Sequence, residues 1–156
     1  MSDDLFRVLI VEESDDIRRL EREIVRQTFR PALVEIEEIR TAREAVERYQ
    51  TEAYHLLLLD VSSQQASEAI RDLVRASRTR QRCPVIAFST GRIDQDTLRI
   101  LAADHCFAIF PKPFDPESVQ ATIREALEAH SKSIDAVVSP VLHGIMKMLH
   151  SSDKEN

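Results

Sequence analysis

Leu56-Leu57-Leu58-Leu59-Asp60 is a run of four leucines closed by an acid, with no polar residue alternating among them. A strand with one wet face carries a polar side chain at every second position, whereas a strand covered on both faces reads as a continuous apolar run. Val8-Leu9-Ile10-Val11 repeats the arrangement earlier in the chain and ends on Glu12-Glu13. Two such strands, each stopped by carboxylates, predict a sheet buried between two layers of helices with acids gathered at one end.

The segments between these runs have helical period. Ser14 or Asp15 caps a helix with Ile17, Leu20, Ile24 and Phe29 on one face and Pro31 at its end. Val34 to Ile39 is a second strand, and Thr41 opens a helix to about Gln50 with Ala42, Ala45, Val46 and Tyr49 inward. After Asp60, Ala69, Ile70, Leu73 and Val74 mark a helix from Ser67 to Ser77, and the basic stretch Arg75 to Arg82 reads as a solvated loop. Val85 to Phe88 is strand four, closing on Ser89-Thr90-Gly91, and a helix follows over about Asp94 to Ala102. Phe107 to Phe110 is strand five, Pro111-Lys112-Pro113-Phe114 a loop, and Asp115 with Pro116 starts a last helix carrying Ile123 and Leu127.

Five βα repeats predict an α/β fold with a five-stranded parallel sheet, order 2-1-3-4-5, and helices on both faces. The expected organisation is one domain over residues 1–131 and an extension over 132–156. Within the extension, Ser139-Pro140 opens an amphipathic helix with Leu142, Ile145, Met146 and Leu149 as its stripe, able to pack back on the domain, to form a homodimer, or to begin a linker to an output domain.

Composition removes several classes of function. The formal charge of −6, with 21 basic residues scattered among 27 acids, disfavours a nucleic-acid surface. The longest apolar run is too short to span a bilayer, so a soluble, cytoplasmic protein is expected. Cys83 and Cys106 form no CxxC pair, and the five histidines share no face, so neither zinc nor a disulfide framework is suggested. Two glycines exclude the Walker and dinucleotide loops, which need glycine where backbone approaches phosphate.

The sheet order sets strands one and three side by side at the topological switch point, where ligands bind beyond the strand C-termini. Glu12, Glu13, Asp60, Ser89 and Lys112 converge there. Carboxylates crowded into one crevice repel unless a cation neutralises them, and an all-oxygen donor set suits Mg²⁺. A carboxylate beside Mg²⁺ and a lysine can attack a phosphoryl donor and become an aspartyl phosphate.

VLIVEESDD (8–16), LLLLD (56–60), PVIAFST (84–90) and PKPF (111–114) together resemble the response-regulator receiver family over about residues 6–129. The resemblance implies that Asp60 accepts a phosphoryl group from a histidine kinase or phosphotransfer protein. It further implies that Glu12, Glu13, Asp60 and the Ser62 carbonyl hold Mg²⁺, that Ser89 and Lys112 contact the phosphoryl group, and that Lys112-Pro113 is cis. The chain is then no conventional enzyme but a stand-alone phosphoacceptor signalling domain, capable of self-catalysed phosphotransfer and dephosphorylation, that relays its signal to a downstream protein partner.

The pattern departs from the family at four places. Glu13 stands where the family has Asp, Gln64 and Glu68 where it has Pro and Gly, and Ile109 where it has an aromatic ring. These departures motivate a second reading, a degenerate receiver that is not phosphorylated and serves as a protein-interaction or dimerisation module. A flavodoxin-like protein holding a flavin in the same crevice is a third, disfavoured by the acidic rim.

Overall fold

The structure is a computed structural model, and it describes residues 5–30, 32–62, 65–79, 83–91, 93–104 and 106–133, without the side chains of 131–133. Ten elements alternate along the chain: β1 (Phe6–Val11), α1 (Asp15–Phe29), β2 (Val34–Ile39), α2 (Ala42–Thr51), β3 (Leu56–Asp60), α3 (Ser67–Thr79), β4 (Val85–Ser89), α4 (Gln95–Ala103), β5 (Ala108–Pro111) and α5 (Pro116–Ser133). The strands form one parallel sheet in the order β2-β1-β3-β4-β5, as expected. Gln64, the tail stripe Leu142–Leu149 and the rest of the 132–156 extension beyond Ser133 lie outside the described residues.

The absence of polar alternation in β1 and β3 has its cause in two cores, one on each face of the sheet. Leu9, Val11, Leu57, Leu59, Val85 and Ala87 point to α2, α3 and α4, where Ala45, Tyr49, Leu73 and Leu101 meet them. Phe6, Val8, Ile10, Leu56, Leu58, Ile86 and Phe88 point to α1 and α5, against Ile24, Phe29, Ile123 and Leu127. All four leucines of β3 are fully buried, and each side chain contributes about 1.5–3 kcal/mol by leaving water. Register follows from the same burial: Val8 to Val11 pair with Leu56 to Leu59, which brings Glu12 beside Asp60 at the strand ends.

The helix starts follow the caps. Ser14, Thr41 and Asp94 each accept a hydrogen bond from the backbone N–H three residues on, and Asp115 accepts from the Ser118 amide and hydroxyl. Between Ser14 and Asp15, the cap is Ser14.

Four features differ from the sequence expectation, the first being that α3 runs on to Thr79, into the stretch expected as a solvated loop. Leu20, expected inward on α1, is 41 % exposed, and Glu21 is buried in its place at 1 %. The face of α1 is set by Ile24, Val25 and Phe29, and stepping back one turn from Val25 lands on Glu21. Strand β5 begins at Ala108 and includes Pro111, which pairs with Ser89; Phe107 stays 39 % exposed before it. Pro111 is tolerated because, among the described residues, β5 is an edge strand with no further neighbour to receive its missing N–H. Helix α5 runs on to Ser133, past the expected start of the tail.

Candidate functional site

Beyond the C-terminal ends of β1, β3 and β4 the structure gathers Glu12, Asp60, Ser62, Ser89 and Lys112. Lys112 is the centre of the arrangement. Its ammonium lies 2.5 Å from Glu12 Oε1 and 3.1 Å from Asp60 Oδ1, and its backbone N–H donates to the Ser89 carbonyl. The Lys112-Pro113 bond is cis. Burial alone lowers a lysine's pKa, but the two carboxylates outweigh it and raise that of Lys112.

Asp60 is 2 % exposed, and its two oxygens differ. Oδ1 accepts from the Ser62 amide at 3.0 Å, the Ser62 hydroxyl at 2.5 Å and Lys112 at 3.1 Å. Oδ2 has one long contact, from Gln65 Nε2 at 3.4 Å. Burial pushes the Asp60 carboxyl up, yet the Ser62 donors and Lys112 together hold it below the usual carboxylate range. The result is a buried, ionised carboxylate with one oxygen saturated and the other lightly held.

The surrounding polar groups follow from the strand ends. Thr90 donates from its hydroxyl to Ser62 Oγ at 3.0 Å and ties the end of β4 to the end of β3. The Ser89 hydroxyl is buried, with no hydrogen-bond partner among the described residues, so its donor is free for an incoming oxyanion. Glu12 Oε2 accepts from the Ser14 amide, and the Glu12 carbonyl accepts from Arg18. Glu13 stands exposed at the rim, apart from the buried pair.

Hard oxygen donors suit Mg²⁺ in chemistry. Two of the three expected carboxylates lie together, although among the described residues no three His, Cys, Asp or Glu side chains are grouped to hold a metal ion. The positive charge between Glu12 and Asp60 is that of Lys112.

Two further residues of the site were not foreseen. Gln65 is 6 % exposed and reaches both Asp60 and the backbone around Arg40; a polar residue just before the first apolar position of α3 is ordinary in sequence and gave no signal. Glu21 lies against Glu12 from α1, and burial followed by the Glu12 charge raises its pKa well above the usual carboxylate range. Its signal was its place one turn before Val25. Of the departures noted in the sequence, Ile109 is 39 % exposed on β5, and Glu68, in the first turn of α3, is exposed and paired with Arg43 of α2 at 2.9 Å.

Among the described residues no helix is long and apolar enough to cross a membrane.

Comparison with known structures finds the same architecture. A CheY-like response regulator receiver domain protein from Methanospirillum hungatei JF-1 superposes with a TM-score of 0.64 at 22 % identity, covering 83 % of this chain and 98 % of that one. The signal receiver domain of a putative LuxO repressor protein from Vibrio parahaemolyticus gives 0.67 at 19 % identity, covering 85 % and 98 %. The BeF3-activated DrrB receiver domain gives 0.61 at 21 %, covering 80 % and 98 %. A comparison with curated proteins finds no match. The family model of the response regulator receiver domain matches residues 8–124. With sheet order, acidic strand ends and family match in agreement over most of its length, the chain belongs to the response regulator receiver domain family, the phosphoacceptor signalling domains of two-component systems.

Proposed function

We propose that Asp60 is the phosphoryl acceptor of this receiver and that a histidine kinase or phosphotransfer protein is its donor. The observation that carries this reading is the asymmetry of the Asp60 carboxylate: Oδ1 is held by Ser62 and Lys112, while Oδ2 keeps a lone pair for attack. In the transfer, Oδ2 forms a bond to phosphorus as the P–N bond of the donor phosphohistidine breaks. The imidazole leaves with the electron pair and takes up a proton, and Asp60 becomes an acyl phosphate. Lys112 and the free Ser89 hydroxyl serve the phosphoryl oxygens, where fixed donors in a buried site act without reorganisation. Glu12, Glu13, Asp60 and the Ser62 carbonyl would hold Mg²⁺, which supplies charge neutralisation for the anionic donor.

In this reading the chain acts in the cytoplasm as a receiver whose phosphorylation state is read by a downstream protein. A homodimer formed through the 139–156 segment is part of the same proposal.

Intact-mass measurement after incubation with acetyl phosphate and Mg²⁺ tests the acceptor. The expected result is an adduct of about 80 Da on the wild type and none on Asp60→Ala. Equal masses for the two would falsify it.

The exposed Glu13 and Ile109 favour one alternative, a receiver fold used as a constitutive interaction module. It predicts no adduct, and partner binding that Asp60→Ala leaves unchanged.

A further inference from the structure

Gln65 links the end of β3 to the backbone at the start of α2, more than twenty residues away in sequence. Its Oε1 accepts from the Ala42 N–H at 2.8 Å, and its Nε2 donates to the Arg40 carbonyl at 2.9 Å. The second hydrogen of Nε2 meets Asp60 Oδ2 at 3.4 Å. The Gln65 amide N–H closes a turn onto the Ser62 carbonyl, which fixes the side chain's origin close to Asp60. One buried amide thus satisfies the backbone on both sides of Thr41, the cap of α2, while resting on the oxygen that the proposed chemistry would consume.

We propose that Gln65 is a positioning residue that couples the phosphorylation state of Asp60 to the start of α2. This rests on the acceptor reading above. Esterification of Oδ2 turns a charged carboxylate oxygen into a neutral bridging one and sets a bulky dianion in front of it. The Gln65 N–H then loses its acceptor or follows the phosphoryl oxygens. A side chain buried this fully cannot turn to water to satisfy that N–H, and an unsatisfied buried donor is costly. The amide therefore moves as a unit, and the bonds to Arg40 and Ala42 move with it. Ala42 is the first residue of α2 and fully buried, so its N–H has no solvent to replace Gln65 Oε1. The exposed Arg43–Glu68 pair joins the first turns of α2 and α3 and carries the same displacement to the surface.

Residue-resolved amide hydrogen exchange on the full chain, with and without acetyl phosphate and Mg²⁺, tests the coupling, with intact mass read on the same samples. In the wild type, exchange at Ala42 is expected to accelerate about tenfold once the adduct forms, while the Thr97 amide, held by Asp94 in α4, stays unchanged. In Gln65→Met, Ala42 is expected to exchange fast in both states, and the β3 amides Leu57 to Leu59 stay protected as the control for folding. If Gln65→Met loses that protection, Gln65→Glu replaces it: the acceptor toward Ala42 is kept and the N–H toward Asp60 is lost, so Ala42 should be protected with no response to the adduct. An adduct without any change at Ala42 overturns the coupling and leaves the acceptor reading standing. A phosphorylation response at Ala42 that persists in the Gln65 variant also overturns it. Absence of an adduct in the wild type overturns both.

Discussion

Glu21 is a carboxyl placed where the packing of α1 on the sheet calls for an apolar side chain, and it is buried against Glu12. Burial and the neighbouring Glu12 raise its pKa well above the carboxylate range, with Lys112 opposing. The sign of its contribution to stability follows. A carboxyl whose folded pKa is raised binds its proton in the folded state while the unfolded chain has released it. The folded chain therefore loses stability as pH rises from the unfolded carboxyl range, at up to about 1.4 kcal/mol per pH unit, until the folded pKa is passed. Glu21→Gln keeps the shape and removes the titration, so it should be more stable than wild type at pH 7 and lose that advantage near pH 4, as read by urea denaturation at both. An advantage independent of pH would refute a proton held at Glu21. Asp60 has the opposite sign: its lowered pKa contributes stability above the unfolded carboxyl range that is lost as pH falls through the folded value. Charge at the crevice also bears on the metal. Among the described residues Glu12 and Asp60 face a single cation, Lys112, so an anionic phosphodonor meets a net negative site. Replacing Mg²⁺ by EDTA is expected to slow adduct formation at least about tenfold; an undiminished rate would assign neutralisation to Lys112 alone.

At the scale of elements, most of the fold was legible because local chemistry and tertiary need agreed. The β1 and β3 runs read as buried on both faces and are, since each feeds two cores. Caps at Ser14, Thr41, Asp94 and Asp115 marked the helix starts. The positions of Glu12, Asp60, Ser89 and Lys112 at one end of the sheet followed from topology alone. What stayed hidden depends on rotation and reach. One turn of α1 could present Leu20 or Glu21, and the choice lay in packing by Val25 and Phe29. Gln65 carries no periodic mark, because its role is set by the Arg40 and Ala42 backbone it meets across space. Helix α4 shows how much a cap can decide. It has nine residues, a length at which an isolated helix is marginal. Asp94 accepts from both the Thr97 amide at 2.8 Å and its hydroxyl at 3.1 Å. Asp94→Ala should cost about 1 kcal/mol, measured as a lower urea midpoint at unchanged slope, with faster amide exchange confined to 95–103. A uniform rise in exchange across the sheet would mean that α4 does not open as a unit.

For the whole molecule, the question is where the folding unit stops. Among the described residues, the last buried member of the core is Leu127 on the α1–α5 side and Leu101 on the α2–α4 side. Among the described residues both cores lie within 6–127, with α1 and α5 covering the sheet on one face and α2, α3 and α4 on the other. The edge strand β2 is shielded by charge in place of a neighbour. Glu35 and Glu37 pair with Arg7, Glu37 also with Arg48, and Glu38 with Arg18 and Arg22. Acids on an exposed edge oppose strand-to-strand association, so self-association is not expected to run through β2. If the domain is complete in this sense, ending the chain after Ser133 should leave a cooperative urea transition with the slope of the full chain, because the slope follows the surface exposed on unfolding. Its stability should stay within about 0.5 kcal/mol, and its adduct yield with acetyl phosphate should match. Sedimentation of the two lengths separates the roles of the tail: a dimer at full length that becomes a monomer on truncation assigns 134–156 to association through its Leu142–Leu149 stripe. A loss of more than about 1 kcal/mol in the truncated monomer would instead make that segment part of the domain's own packing and move the boundary of the folding unit beyond α5.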